Sequence, residues 1–313
     1  MIDILSNLIK LAQISGGIDT VCQLDGSWYL DNTANAPNAV LHMIVEGEGY
    51  LKIKGEPKVI HITKGDILFF PRGEAHILSS QSHCDNTLAI PYTKSQEYLT
   101  VRHSSGTVVN FKLFCAHFSY DKKAVLFQNL PRWFKVNLPD NQWQPLWSLL
   151  SQEIETKSGH QQIIDNLSTV LFTLILRTYL SEHGADTIGI LHGMQDPRLA
   201  PLLYEIVKNP AIEWTISEMS KRTFLSRAQF IRIFKQQMGM TPHFFVQKIR
   251  LQQAAYLLKT TLHSVNNISA LVGFQTETHF IKAFKKHYSI TPKSYRIGQA
   301  ENEHDDAIKI VSA

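Results

Sequence analysis

The chain has 313 residues, of which 44% are hydrophobic, a net charge of +4 and three cysteines. Its length allows one or two domains with a sizeable core, and its composition is typical of a folded globular protein. Three cysteines argue against a disulfide scaffold. No apolar run approaches the roughly 18–20 residues that cross a bilayer, and the longest lies around residues 170–176.

The first segment of the chain has helical periodicity. Acidic Asp3 is followed by apolar residues at Ile4, Leu5, Leu8 and Leu11, which is the spacing of one helical face. A secretory signal has instead a positive start and a continuous apolar core. We therefore expect an N-terminal helix and a cytoplasmic protein.

Up to about residue 120 the pattern is that of short strands. Apolar runs at 40–45 (VLHMIV), 58–62 (KVIHI) and 66–71 (DILFFP) are separated by glycine, proline and charged turns. Such spacing predicts an antiparallel sandwich or barrel.

One motif within these strands has a known chemistry. Residues 65–76, GDILFFPRGEAH, match the pattern G-x5-P-x-G-x2-H, which resembles the second motif of the cupin barrels. By that resemblance His76 is a metal ligand, and His42 with Glu46 could complete a three-ligand site. The alternative is a barrel without metal, in which both histidines are hydrogen-bonded interior residues. We favour the alternative and expect no cofactor.

Residues 140–183 change to helical periodicity. Trp143, Leu146, Trp147, Leu150 and Ile154 form one apolar stripe, and residues 163–183 form a second, more apolar helix. Such a pair of helices needs a partner surface, either on the barrel or in a second copy of the chain, so a homodimer is possible. A linker is predicted at 184–197.

Charge is distributed unevenly along the chain. Residues 1–196 carry a net charge of −4, residues 197–298 carry +11 with only four acidic residues, and residues 299–313 carry −3. A basic block of this kind is the electrostatic footprint of a protein that binds a polyanion. The acidic tail, 299–313, is expected to be flexible.

The basic block contains one segment twice. FIRIFKQQMGMTP at 230–242 and FIKAFKKHYSITP at 280–292 lie 50 residues apart. Each places two phenylalanines four residues apart on one helical face and cations on the other. A short helix is predicted before each segment, at 216–222 and 266–273. Helix, tight turn and basic helix predict two helix-turn-helix motifs.

Residues 214–296 resemble the DNA-binding domain of the AraC/XylS family. The motifs that carry the resemblance are ISEMS, LSRAQFIRIFKQQMGMTP, KIRLQQAAYLL, ISALVGF and FIKAFKKHYSITPKSYR, in this order. The resemblance implies that helices 226–237 and 276–287 enter the major groove of double-stranded promoter DNA. The residues it places at the DNA are Arg227, Ala228, Ile231, Arg232, Lys235, Thr276, Glu277, Thr278, Lys282, Lys285 and Lys286.

Two kinds of contact are expected among these residues. Arg227 and Arg232 suit base edges because arginine binds guanine bidentately. Lysines and arginines at the margins suit phosphates; these are Lys235, Lys248, Lys285, Lys286 and Arg296. The core of the domain is predicted to contain Phe230, Phe234, Leu257, Phe280 and Phe284.

The N-terminal half is similar to the AraC-family group that responds to reactive chlorine species. Residues 16–30, 41–51, 65–76, 111–121 and 196–220 carry this similarity. It implies that Cys22 and Cys115 are redox-sensing, while Cys84, in a polar loop, is expected to be the most exposed of the three cysteines. We expect His117 and Lys112 to favour a thiolate at Cys115. The alternative is that both cysteines are small buried apolar residues.

The sequence therefore predicts an α+β multidomain protein with an N-terminal cupin-like antiparallel β-barrel, a helical pair and an all-α double helix-turn-helix domain. Expected boundaries are 1–125, 126–195, 196–298 and the tail. The predicted function is a sequence-specific transcriptional activator that responds to oxidants, with RNA polymerase as a partner and no membrane contact. A regulator that senses a small ligand in the cupin cavity is the alternative, and a metal-dependent cupin enzyme is the third possibility.

Overall fold

The structure is a computed structural model. It describes residues 3–32, 39–84, 88–95, 100–104, 108–153, 158–183 and 188–298. The predicted tail at 299–313, Ile154 and the first four residues of the predicted linker lie outside this part of the chain.

The chain forms two compact units. Unit 2 consists of residues 14–120 and 130–183, and unit 1 consists of residues 1–13, 121–129 and 184–313. The chain therefore leaves unit 1 after its first 13 residues and re-enters it for residues 121–129. The predicted boundaries at 125 and 195 stay predictions.

Unit 2 is built from two sheets. The first has the strand order β11-β6-β3-β10-β1-β9-β8 and the second has the order β2-β7-β4-β5. Pairing between the named strands is antiparallel except between β1 and β9. The strands are β1 Ser15–Leu24, β2 Tyr29–Asn32, β3 Ala39–Glu46, β4 Glu48–Ile53, β5 Val59–Thr63, β6 Asp66–Phe70, β7 His76–Ser79, β8 Tyr92–Ser95, β9 Thr100–His103, β10 Phe111–Ser119 and β11 Phe134–Asn137.

The sheets enclose one apolar core because alternate residues of each strand point inward. On β10, Phe111, Leu113 and Cys115 belong to this core, whereas Phe114 and Phe118 point outward. The two glycines of the cupin motif, Gly65 and Gly73, both have positive φ, at +90° and +63°. Glycine adopts this conformation without the steric cost that a Cβ imposes.

Two helices cover the outer face of the larger sheet, α2 (Asp140–Gln152) and α3 (His160–His183). Trp147 packs edge-on against Phe114, and Phe172 packs against Phe118. The hydroxyl of Ser168 accepts a hydrogen bond of 3.1 Å from the backbone N–H of Ile18. Although no long apolar run was expected, α3 is long and apolar enough to cross a membrane by length and composition alone. It packs on the sheet through one face, and 39% of the residues in its most apolar stretch are buried.

Unit 1 is helical in its described residues. Its helices are α1 Ile4–Leu11, α4 Ile190–Gly193, α5 Ala200–Lys208, α6 Ile216–Arg222, α7 Arg227–Met238, α8 Pro242–Thr260, α9 Val265–Leu271 and α10 Glu277–Tyr288. The predicted N-terminal helix is therefore present, and Asp3 caps it by accepting a hydrogen bond from the Ser6 N–H.

The N-terminal residues and the segment 121–129 pack on the long helix α8. The Lys10 ammonium lies 5.0 Å from the centre of the Tyr256 ring. The buried Gln252 side chain, with its amide oriented to satisfy both neighbours, accepts hydrogen bonds from the backbone N–H groups of Ala124 and Val125. Residues from the first half of the sequence thus complete the helical unit.

Candidate nucleic-acid interface and cysteine cluster

Helix α7 has a defined cap at each end. Ser226 is the N-cap: its hydroxyl accepts from the Gln229 N–H, and the Gln229 side chain accepts in return from the Ser226 N–H, forming a capping box. Gly239 ends the helix in the left-handed conformation. The helix starts at Arg227 rather than at 226, because Ser226 is its cap.

The two faces of α7 differ as predicted. Phe230 and Phe234 are fully buried and contact each other edge-to-face. The residues expected at DNA are all exposed, namely Arg227, Ala228, Ile231, Arg232 and Lys235. The Arg227 guanidinium donates a 3.0 Å hydrogen bond to the Ser217 hydroxyl at the start of α6, so its head group is positioned by the preceding helix.

Helix α10 repeats this arrangement of a capped start, a buried face and an exposed face. Thr276 is its N-cap and accepts from the His279 N–H, so the helix starts at Glu277. Phe280 and Phe284 are buried. Thr276, Thr278, Lys282, Lys285 and Lys286 are exposed, but Glu277 is half-buried. The first residue of α10 is therefore acidic and half-buried, whereas α7 begins with the exposed Arg227.

Two of the residues expected to neutralise phosphates serve the fold. The Arg296 guanidinium donates to the backbone carbonyls of Leu258, at 3.2 Å, and His263, at 2.6 Å. Lys248 is half-buried above the Phe244 ring, and burial lowers its pKa. The phosphate role expected of these two residues is therefore not favoured by their surroundings.

The cysteines of the barrel form a buried cluster. Cys22 is fully buried, Cys115 is 5% exposed, and they are diagonal neighbours on paired strands, since Cys22 lies opposite Leu113 and Cys115 opposite Thr20. Cys84 is also buried, at 4% exposure, so the expectation that it is the most exposed cysteine is wrong. None of the three is disulfide-bonded.

A chain of hydrogen bonds leads away from Cys115. Its Sγ atom lies 3.1 Å from Nδ1 of His42, Nε2 of His42 lies 2.7 Å from Nε2 of His76, and Nδ1 of His76 lies 2.6 Å from the carbonyl oxygen of Glu74. A carbonyl only accepts, so His76 donates from Nδ1 and accepts at Nε2. His42 then donates from Nε2, and its Nδ1 accepts the proton of the Cys115 thiol.

Burial keeps both histidines neutral. It lowers the pKa of His42 well below its usual range, and it lowers the pKa of His76 to about 4. The ring of His76 also stacks flat on Phe70, with 3.8 Å between ring centroids. Because both imidazoles are neutral, each donates one hydrogen bond and accepts one, and the stacking on Phe70 holds the His76 ring in this orientation.

The electrostatics of Cys115 differ from the expectation. The neighbouring Cys22 thiol, together with burial, raises the pKa of Cys115 well above its ordinary value. The two groups expected to lower it are engaged elsewhere: Lys112 lies over the Trp147 ring, and His117 pairs with Asp19. The charge of Arg102 is the one that lowers the pKa of Cys115. Arg102 lies on β9, and the parallel pairing of β9 with β1 could not be recognised in the sequence.

The weak metal candidates do not converge. His42 and His76 meet, but Glu46 is exposed and four residues further along β3, about 13 Å away at the usual rise of a strand. Both nitrogens of each histidine already have hydrogen-bond partners. Among the described residues no group of three or more His, Cys, Asp or Glu side chains could hold a metal ion. The donor set therefore does not fit the cupin metal.

Known protein families match two parts of the chain. A cupin family model matches residues 3–181, and a helix-turn-helix domain model matches residues 219–297. The HTH-type transcriptional regulator MtrA of Neisseria gonorrhoeae is 38% identical over 94% of this chain and 98% of its own length. The RCS-specific HTH-type transcriptional activator RclR of Escherichia coli is 26% identical over 94% of this chain and 97% of its own.

A similar solved structure covers the helical part. An AraC-type transcriptional regulator from Chromobacterium violaceum is 29% identical over 33% of this chain and 93% of its own, with a TM-score of 0.32. Fold and interface define a DNA-binding regulator with a cupin domain and two helix-turn-helix motifs. The chain belongs to the AraC/XylS family of transcriptional regulators and is not an enzyme, which confirms the predicted family and fold class.

Proposed function

We propose that this regulator activates transcription in response to hypochlorous acid and related oxidants, and that Cys22 and Cys115 are the sensor. The observation that carries the proposal is the contact of the Cys115 thiol with both Cys22 and His42 inside the barrel. A thiol that has a resolving thiol and a proton acceptor within reach can be oxidised to a disulfide. The relative RclR, whose name marks it as specific for reactive chlorine species, supports the choice of oxidant.

The proposed reaction has two balanced steps. Hypochlorous acid transfers the equivalent of OH⁺ to the Cys115 sulfur, which gives a sulfenic acid, chloride and the thiol proton. His42, hydrogen-bonded to that thiol, is the first acceptor for the proton, which then passes to solvent because burial disfavours a charged imidazole. The Cys22 sulfur then attacks the sulfenic acid, the S–S bond forms and water leaves. The oxidant is thereby reduced by two electrons.

The raised pKa of Cys115 favours a selective sensor. A thiol that stays protonated reacts poorly with weak oxidants, because the thiolate is the nucleophile. Hypochlorous acid is small, uncharged and strongly oxidising, so it suits a buried, protonated thiol. We therefore expect hydrogen peroxide to be a poor inducer.

Disulfide formation in this place strains the barrel. Diagonal residues on paired strands have Cα atoms about 7–8 Å apart, whereas a disulfide spans about 4.4–6.8 Å. A bond between Cys22 and Cys115 thus requires β1 and β10 to shift. β1 follows α1, and β10 is followed by residues 121–129, so both strands continue directly into segments of unit 1. This continuity supports transmission of the signal to the DNA-binding helices.

DNA recognition is proposed for the exposed faces of α7 and α10. Arg227 and Arg232 read bases, and the surrounding lysines neutralise phosphates. Binding should therefore weaken steeply with salt, with a slope near −0.9 per phosphate neutralised. A cytoplasmic location and RNA polymerase as a partner are part of this proposal.

We also propose a homodimer in which an exposed apolar stripe on α3 forms the interface. Ile163 and Val170 are exposed, and Leu167 and Leu174 are partly exposed. These four follow one another at spacings of four, three and four residues, which is the repeat of a coiled-coil seam. A second copy of α3 is the occupant that such a seam fits. Analytical ultracentrifugation of the wild type and of Val170→Glu tests it, and a monomeric wild type would refute it.

The sensor is tested by reporter transcription in cells treated with hypochlorite. Wild type and Cys84→Ser should be induced, whereas Cys22→Ser and Cys115→Ser should not. Mass spectrometry of the treated protein should find a Cys22–Cys115 disulfide. Induction that survives in the Cys22→Ser/Cys115→Ser double variant would refute the cysteine sensor.

A ligand-sensing regulator is the second candidate function, and a cleft on the outer face of the larger sheet, rather than the expected cupin cavity, favours it. This cleft has a volume of about 510 Å³ and is lined by Val45, Glu46, Lys64, Lys112, Trp143, Gln144 and Trp147. Two lysines above two indole rings suit an apolar anion. Induction by such a compound that requires Lys112 and Trp147, but neither cysteine, would favour this function.

A further inference from the structure

Phe224 combines two unusual properties. It lies in the turn between α6 and α7, its side chain is 96% exposed, and its backbone is left-handed with φ of +55°. Aromatic residues rarely adopt this conformation, because their Cβ approaches the following carbonyl oxygen. Full exposure also forfeits the burial that normally stabilises a phenylalanine.

The second helix-turn-helix motif shows what the turn requires. Its first helix repeats α6 at an offset of 49 residues, although its recognition helix repeats α7 at an offset of 50. Phe224 therefore corresponds to Gly273, and not to Phe274 as the aligned sequences suggest. Both Phe224 and Gly273 donate from N–H to the carbonyl three residues earlier, at 3.1 Å and 3.0 Å, and Gly273 has φ of +89°.

The duplicate thus uses glycine where the first motif uses phenylalanine. In the second motif a Cβ at Gly273 would lie 2.6 Å from the Cα of Ala211, which only glycine tolerates. The next residue, Phe274, is buried against Phe280. Phe224 gains no comparable packing, so its size does not serve the fold. Strain of this kind is retained mainly at functional positions.

We propose that Phe224 is a DNA-contacting residue that helps to determine sequence specificity. It lies three residues before Arg227, and the N-terminal end of a recognition helix is the part that reaches base edges. An exposed phenylalanine can contact the methyl group of thymine in the major groove. The exposed cations Lys221 and Arg227 flank it, so the surroundings are complementary to the sugar–phosphate backbone. This proposal rests on the DNA-binding function of the family.

The test uses the full chain and a duplex that the wild type selects from a random-sequence pool. Phe224→Gly introduces the residue that the second motif has at this position, so the stability of the variant should equal or exceed that of the wild type. Its affinity for the selected duplex should fall about five- to tenfold, while its affinity for random DNA changes less. Leu262→Ala is the matched control, because Leu262 is 98% exposed in the α8–α9 connection, and it should leave both affinities unchanged.

Uracil substitution then locates the contact. Replacing each thymine of the selected duplex by uracil removes one methyl group at a time. At one or two positions this should weaken wild-type binding several-fold and have no further effect on Phe224→Gly. Unchanged affinity of Phe224→Gly would overturn the proposal. So would a variant that binds DNA normally but fails to activate transcription with RNA polymerase, since Phe224 would then contact a protein.

Discussion

The hydroxyl group of Tyr288 donates a 2.7 Å hydrogen bond to the carboxylate of Asp121, a residue 167 positions earlier in the chain. Tyr288 ends helix α10, and Asp121 follows the strand that carries Cys115. Burial raises the pKa of Asp121, and the hydrogen bond from Tyr288 opposes that shift. The bond therefore helps a buried carboxylate to remain charged beside the second recognition helix.

Removing that hydroxyl should destabilise unit 1. Tyr288→Phe leaves the Asp121 carboxylate without one donor, and hydrogen bonds to charged groups contribute about 1.5–3 kcal/mol. We expect the free energy of unfolding in urea at pH 7 to fall by this amount. Asp121→Asn retains an acceptor oxygen without a charge and should lose less. Equal stability of Tyr288→Phe and the wild type would show that the bond contributes nothing.

The sequence was most informative where the determinants are local. Ser226, Thr241 and Thr276 each cap a helix by accepting a hydrogen bond from the N–H three residues ahead, and the paired phenylalanines of α7 and α10 are buried as predicted. Caps and helical faces depend on residues three or four positions apart. The duplicated motifs and their family could therefore be predicted without a structure.

The surroundings of Cys115 could not be predicted in this way. Lys112 alternates with the inward-facing Leu113 and Cys115, so its ammonium lies on the outer face of the sheet, over the Trp147 ring. His42 reaches Cys115 from β3, where the two residues are directly paired. Arg102 lies on β9, opposite Cys22 of β1. Sequence spacing does not determine which strands pair or where a bulge falls.

Acid should destabilise the barrel through His76. Its pKa is about 4 in the folded protein, below the value of about 6.5 in an unfolded chain. Between these values the unfolded state binds a proton that the folded state does not, so stability rises with pH. Stability is complete above about pH 6.5 and is lost as pH falls toward 4. At pH 5 the loss from His76 alone is about 2 kcal/mol, from the difference between these two pKa values.

Urea unfolding at pH 7 and pH 5, followed by tryptophan fluorescence, measures this dependence. Four of the five tryptophans lie in unit 2, namely Trp28, Trp133, Trp143 and Trp147. His76→Asn should reduce the difference between the two pH values. His61→Asn is the control, because the His61 ring is exposed on β5. A His76→Asn variant with the full wild-type difference would contradict the assignment.

Chelation should leave the regulator functional. The histidines that a cupin metal would use bind each other, Cys115 and a backbone carbonyl instead. DNA affinity and hypochlorite induction are therefore expected to be unchanged after dialysis against EDTA. Metal analysis of the purified protein provides the check. Stoichiometric metal that disappears in His76→Ala, together with induction, would reverse this interpretation.

Arg232 and Lys285 should differ in what they contribute to DNA binding. Both are exposed on recognition helices, but Arg232 lies in the middle of α7, opposite the buried Phe230 and Phe234. An arginine there can donate two parallel hydrogen bonds to guanine. Lys285 lies in the last turn of α10, where its single ammonium suits a phosphate.

Two alanine variants separate these roles on the selected duplex and on random DNA. Arg232→Ala should cost about 1–3 kcal/mol on the selected duplex and relax specificity at one base pair. Lys285→Ala should weaken both duplexes alike and reduce the salt slope by about 1. Binding isotherms at several salt concentrations measure both effects. An Arg232→Ala variant that loses equally on both duplexes would place Arg232 at a phosphate and leave base reading on α7 to Arg227.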